Sequence, residues 1–199
     1  MPKRIVVLIS GSGSNLQAII DSITEKKISG QIVHVFSSKA SAYGLERAQK
    51  ANIPTSIVSL KDYKDKNLSR EEFNKDLARS VTLLNPDLVV LAGWMLILSE
   101  SFVESFKNIL INLHPALPGD IEGANAIERA YDEFILGKRT KTGVMVHHVI
   151  AQVDRGEMIL SEEIPIEFGD SLKDLENKIH AVEHKLLPLA IEKLLTQNN

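Results

Sequence analysis

Residues 5–10, Ile-Val-Val-Leu-Ile-Ser, are apolar at every position but the last and rich in β-branched side chains. A half-exposed strand would alternate, so an unbroken run of this kind is a strand covered on both faces. It ends at Gly11-Ser12-Gly13. From Ser14 to about Lys26, Leu16, Ile19, Ile20 and Ile23 then recur at helical spacing. A buried strand that turns directly into an amphipathic helix is the opening unit of an α/β sheet.

The rest of the chain repeats that alternation. Further strands are expected at residues 32–36, 56–58, 88–92, 109–113, 143–149 and 158–164. Helices are expected at 42–51, from Ser69 to about Leu84, at 100–106, 124–136 and 171–195. Ser69 stands three residues before Glu72, the pattern of a capping box. The charged segment 61–67 reads as an exposed loop, and Pro188 is expected to kink or interrupt the last helix. This order implies an α/β fold, a Rossmann-like and mainly parallel sheet with helices on both faces. The last two strands follow each other directly, so they form an antiparallel C-terminal addition.

With 199 residues, 44% hydrophobic and 25% charged, the chain suits one ordinary globular domain over 1–199. The net charge of -3 gives no general attraction for nucleic acid or an anionic membrane. An anionic ligand must therefore be held by local groups. The absence of cysteine removes disulfides, cysteine–metal sites and a cysteine nucleophile. The longest apolar run, 88–98, is too short to cross a bilayer. The N-terminus reads as a first strand rather than a signal peptide. A cytoplasmic protein is expected.

In open α/β sheets ligands bind beyond the carboxyl ends of the strands, which directs attention to the segments after Ile9, Ala92, Leu113 and Val149. The first is Ser10-Gly11-Ser12-Gly13-Ser14-Asn15. Its glycines let the backbone approach a phosphate, and the helix it opens offers free N–H groups. The same segment also reads as a tight turn capped by Ser14 or Asn15. Leu16 stands where a dinucleotide fingerprint needs Gly or Ala, and no acidic residue follows the second strand. Ser37-Ser38-Lys39 could hold a 2′-phosphate, so NADP stays open, but a mononucleotide or sugar phosphate fits better. The second segment is Asn112-Leu113-His114-Pro115. Asn112 and His114 share a strand face, and Pro115 ends the strand. A carboxamide and an imidazole projecting together can hold an oxyanion and move a proton. They also read as a buried histidine satisfied by its neighbours. The third candidate is Asp154, either a turn former or the carboxylate that favours a charged His114.

His180-Ala181-Val182-Glu183-His184 fits a zinc pattern, but little chain follows to supply a further glutamate, and no metal is expected. His147 and His148 alternate faces and would not chelate together. No Gly-x-Ser-x-Gly elbow occurs.

These residues together resemble the phosphoribosylglycinamide formyltransferase family, folate-dependent enzymes of purine (IMP) biosynthesis. The resemblance runs from Arg4 to His184 and is carried by residues 4–18, 42–48 and 86–94, by Asn112-Leu113-His114-Pro115, Val146-His147 and Val153-Asp154-Arg155-Gly156. The stretch 116–125 looks like the fungal, single-function branch, and Leu96 stands where bacterial members often carry Arg. The resemblance implies that Asn112, His114 and Asp154 are catalytic. It implies that Gly13, Ser14 and Asn15 bind the substrate phosphate and that Glu183 reaches the ribose hydroxyls or glycinamide. Arg70, Met95, Leu96, Ile97, Leu98 and Asn112 would bind 10-formyltetrahydrofolate as cosubstrate, with Ile150, Ala151, Gln152, Val153 and Asp154 closing over its pterin. Residues 1–100 would be the phosphate-binding half and 101–199 the catalytic and folate-binding half. The expected partners are the small molecules 5-phosphoribosylglycinamide and 10-formyltetrahydrofolate, for a monomer or homodimer. A formyl-folate hydrolase, an NADP-dependent reductase and a sugar-phosphate-binding module are the rival readings.

Overall fold

The strand β1 (Lys3–Ile9) lies between β2 (Gly30–Ser37) and β4 (Leu88–Leu91) and runs parallel to both. The computed structural model describes residues 1–197; Asn198 and Asn199, the last positions of the expected 1–199 unit, lie outside the described residues. Ile5, Val7 and Ile9 point into one apolar cluster and Val6 and Leu8 into a second, all with no exposed surface. β4 divides in the same way, with Leu88 and Val90 on one side and Val89 and Leu91 on the other. Two covered faces explain why these strands are apolar at successive positions.

The first cluster is covered by α1 (Ser14–Thr24), α2 (Gly44–Lys50) and α7 (Leu172–Gln197). The second is covered by α3 (Leu60–Asp65), α4 (Arg70–Thr82) and α5 (Glu100–Ser105). The remaining elements are β3 (Thr55–Ile57), β5 (Leu110–His114), α6 (Ala126–Ile135), β6 (Lys141–His148) and β7 (Met158–Pro165). The sheet order is β3-β2-β1-β4-β5-β6-β7. β1 to β5 pair in parallel, while β6 and β7 add antiparallel, as the element order implied. Among the described residues no helix is long and apolar enough to cross a membrane.

Three expectations are corrected. The 61–67 loop is largely helix α3: Ser59 caps it by accepting from Asp62 N–H, and Leu60 is buried. Tyr63 turns inward to pack edge-on against Phe73 and donate to Asp76 of α4. A two-turn helix shows only Leu60 and Tyr63 to the core, too few to form a period among its charges. Pro188 does not interrupt α7, which runs on through it. Leu186, Leu187, Ala190 and Ile191 are buried around it, and that packing outweighs the lost backbone hydrogen bond. The segment after Val149 does not leave from the carboxyl edge, because β6 is antiparallel and His148 pairs with Ile111 inside the sheet.

The capping box of α4 is present in both directions. Ser69 Oγ accepts from Glu72 N–H at 3.1 Å, and Glu72 Oε2 accepts from Ser69 N–H at 2.7 Å. Ser69→Ala is expected to cost about 1 kcal/mol. A urea titration should show a lower midpoint with an unchanged slope.

Candidate active site

Helix α1 starts without a side-chain cap. Its N-cap is Gly13 in the left-handed conformation (φ 70°), and its first turn holds no acidic residue. Ser14 and Asn15 therefore do not cap it. The free N–H groups and the positive end of the helix are left for an anion. Gly13 is demanded by packing as well: a Cβ there would lie 2.5 Å from Gly44 Cα. Asn15 turns toward α7, where its Nδ2 donates to Glu183 Oε2 at 3.2 Å. His180 Nδ1 donates to the same oxygen at 2.9 Å. That bond raises the His180 pKa, against the opposing effect of burial. Glu183 is buried, and one of its oxygens is held by two donors. Glycine turn, Asn15 and Glu183, 168 positions beyond it, thus form one cluster. Ser37 and Ser38 are buried and bonded inward, Ser38 to Ser10 Oγ and Ser37 to Lys39 O, so neither offers a 2′-phosphate site.

The second cluster lies on the β5 face that carries Asn112 and His114. His114 Nε2 donates to the Ile121 carbonyl at 2.6 Å, which fixes a proton on that nitrogen. Its Nδ1 faces Asp154 Oδ2 at 3.4 Å. Asp154 Oδ2 also accepts from Gly123 N–H at 2.8 Å. Its other oxygen, Oδ1, lies 3.3 Å from Asn112 Nδ2 and 3.5 Å from His147 Nε2. Asn112 Nδ2 is also 3.2 Å from His147 Nε2. Asn112, His147 and Asp154 thus form one hydrogen-bonded triangle. His147 Nδ1 donates to the His148 carbonyl, which sets the ring's orientation. Burial opposes ionisation of Asp154, but the His147 contact, the Gly123 N–H and the Coulombic effect of the His114 and His147 rings outweigh it. The carboxyl is therefore held below its ordinary value.

Asp154 itself sits in the left-handed region, φ 53°. It reaches this position because the 149–157 segment folds back against β6. A Cβ on Gly156 would lie 1.6 Å from the His148 carbonyl oxygen, so only glycine permits that return.

The segments assigned to the folate adjoin the second apolar cluster. Leu96 and Leu98 pack inward against it together with Val149, while Met95 and Ile97 point outward, 71% and 66% exposed. Ile150, Ala151, Gln152 and Val153 are all exposed. Arg70, also exposed, starts α4. It is tied to the 95–98 segment by buried Asn74, whose Nδ2 donates to Arg70 O and whose Oδ1 accepts from Ser99 N–H. His147, Asn74, Gly123 and Gly156 are supports that sequence reasoning missed. Asn74 left a signal, as a polar side chain in line with Leu77 and Val81 on the apolar stripe of α4. His147 is marked only as part of the resemblance, and its place beside Asp154 needs the antiparallel register that sets it opposite Asn112.

The chain is similar to proteins of one family along almost its whole length. Residues 3–191 match the family model described as formyl transferase. The phosphoribosylglycinamide formyltransferase of Schizosaccharomyces pombe is 50% identical, the alignment covering all of both chains. That of Saccharomyces cerevisiae is 42% identical over 98% of each. The crystal structure of the phosphoribosylglycinamide formyltransferase from Bacillus halodurans superposes with a TM-score of 0.90 at 32% identity, covering 99% of this chain and 97% of that one. Matched to that family over residues 3–191 and to relatives along its whole length, the chain belongs to the formyl transferase family.

Proposed function

We propose that this protein is a phosphoribosylglycinamide formyltransferase, moving the formyl group of 10-formyltetrahydrofolate to the amine of 5-phosphoribosylglycinamide. The observation that carries the reading is the meeting of Asn112, His114 and Asp154 at one strand end, two strands along the same sheet from an uncapped helix terminus suited to a phosphate. The full-length likeness to enzymes of that name supports it.

In this reading the phosphate lies at Gly13, Ser14 and Asn15, and the free oxygen of Glu183 takes a ribose hydroxyl or the glycinamide. The exposed apolar side chains Met95, Ile97, Ile150 and Val153 suit the flat face of a pterin, and Arg70 suits its acidic tail. The amine attacks the formyl carbon, the bond from that carbon to the folate nitrogen breaks, and one proton passes from the attacking to the leaving nitrogen. The Asn112 amide and the His114 imidazole stabilise the oxygen that becomes negative on the way. Asp154 orients the imidazole. The Nε2 proton of His114, bonded to the Ile121 carbonyl in this structure, becomes available when that carbonyl is exchanged for substrate. Two substrates bound side by side need no covalent enzyme intermediate.

A two-substrate assay with each substrate omitted in turn tests the reading. Deformylated folate should form only when both are present. Its formation without the ribonucleotide would make the protein a hydrolase. Asp154→Asn should lower kcat by about 10²-fold or more with little change in either KM, the scale of lost general acid–base and electrostatic assistance. A fall of less than about threefold would remove Asp154 from the mechanism. Because the Asp154 carboxyl is held low, it stays ionised above about pH 5. Any acid limb of the wild-type pH–rate profile above that value should persist unshifted in Asp154→Glu. Ser14→Asp, which sets a negative charge at the phosphate turn, should raise KM for the ribonucleotide and leave that for the folate unchanged.

A further inference from the structure

We propose that Arg47 is the charged support of the phosphate turn, a positioning residue that aims the turn's N–H groups and supplies the positive charge a substrate phosphate needs. The proposal rests on the phosphate reading of that turn given above.

Arg47 lies on α2, outside the turn. Its Nε donates to the Ser12 carbonyl at 2.9 Å, and its Nη1 donates to Gln17 Oε1 at 3.2 Å. One residue earlier in the turn, the Gly11 carbonyl accepts from Gly44 N–H at 3.1 Å. Two successive carbonyls are thus drawn toward α2. In a planar trans peptide the N–H points opposite to the C=O. The Ser12 and Gly13 N–H groups are therefore turned to the side away from α2, together with the open N–H groups of α1. Arg47 fixes the second of these peptides, and Gly44 fixes the first.

Charge completes the assignment. A phosphate monoester carries about -1.5 to -2 at pH 7, whereas a helix N-terminus offers roughly +0.5. The turn itself holds no Lys or Arg. His180 is committed to Glu183, which cancels its charge. The His184 pKa is lowered by burial, and the nearby Arg47 pushes it the same way, so its ring stays neutral. The carboxylate of Glu183 near both rings works against an anion. Arg47, by contrast, has only neutral hydrogen-bond partners, and among the described residues no carboxylate pairs with it. Arg139, which holds Asp120 and Glu133, shows the opposite arrangement. Stacking on the Tyr43 ring, 5.0 Å from the centroid, keeps the guanidinium in place without neutralising it.

The test compares wild type, Arg47→Met and Arg47→Lys on 5-phosphoribosylglycinamide and on its phosphate-free riboside. Arg47→Met should raise KM for the ribonucleotide about tenfold, which corresponds to about 1.4 kcal/mol. Its kcat, its KM for the formyl-folate and its kcat/KM on the riboside should stay within about twofold. Arg47→Lys, which keeps charge without the Nε contact, should fall between. Equal losses on the ribonucleotide and the riboside, or no loss on either, would overturn the proposal. If wild type is inactive with both substrates present, the transferase reading fails. Titration calorimetry with ribose 5-phosphate then reads the support separately: weaker binding in Arg47→Met sustains it, and equal binding removes it.

Discussion

A carboxylate out of water is costly unless its oxygens are answered, and Asp154 is answered from four sides. Gly123 gives a backbone N–H, Asn112 an amide hydrogen, and His114 and His147 face it with ring nitrogens. These donors come from β5, β6 and the 116–125 segment, so ionising one side chain ties together three pieces of the chain. The left-handed backbone at Asp154 and the bare glycine at 156 are the local conditions for that placement.

The two clusters share an edge but not a layer. The glycine turn is built by α1, α2 and α7 on one face of the sheet. The Asn112–His114 face looks toward the layer of α4 and α5. An acceptor anchored through its phosphate on one side and a donor lying against apolar side chains on the other would meet across the strand ends. That division lets each half of the site bind its own substrate while the sheet sets their separation.

Much of this was legible because it rests on short-range pattern. β1 announced itself through unbroken apolar character, α4 through Ser69 and Glu72, and the Asn112–His114 pair through strand alternation. The C-terminal antiparallel addition followed from two strands with no helix between them. What stayed hidden depends on distance along the chain. α3 shows the core only Leu60 and Tyr63. The bond between Asp154 and Gly123 and the pairing of His147 with Asn112 need the register of β6, which no local pattern encodes. Arg47 read as an ordinary helical residue, because its meaning lies in a carbonyl 35 positions away.

The rims of the sheet have a consequence for life at high concentration. β3 is three residues long and follows directly on Pro54, so it offers few backbone groups to a newcomer. β7 is longer, but its middle carries Ser161, Glu162 and Glu163, all exposed, with Glu163 bridged to Lys141. A strand from another molecule that tried to extend the sheet there would have to bring its backbone against two adjacent carboxylates. Short or charged borders of this kind stop sheets from growing end over end, and they leave the protein free to crowd without seeding fibrils from its own edges.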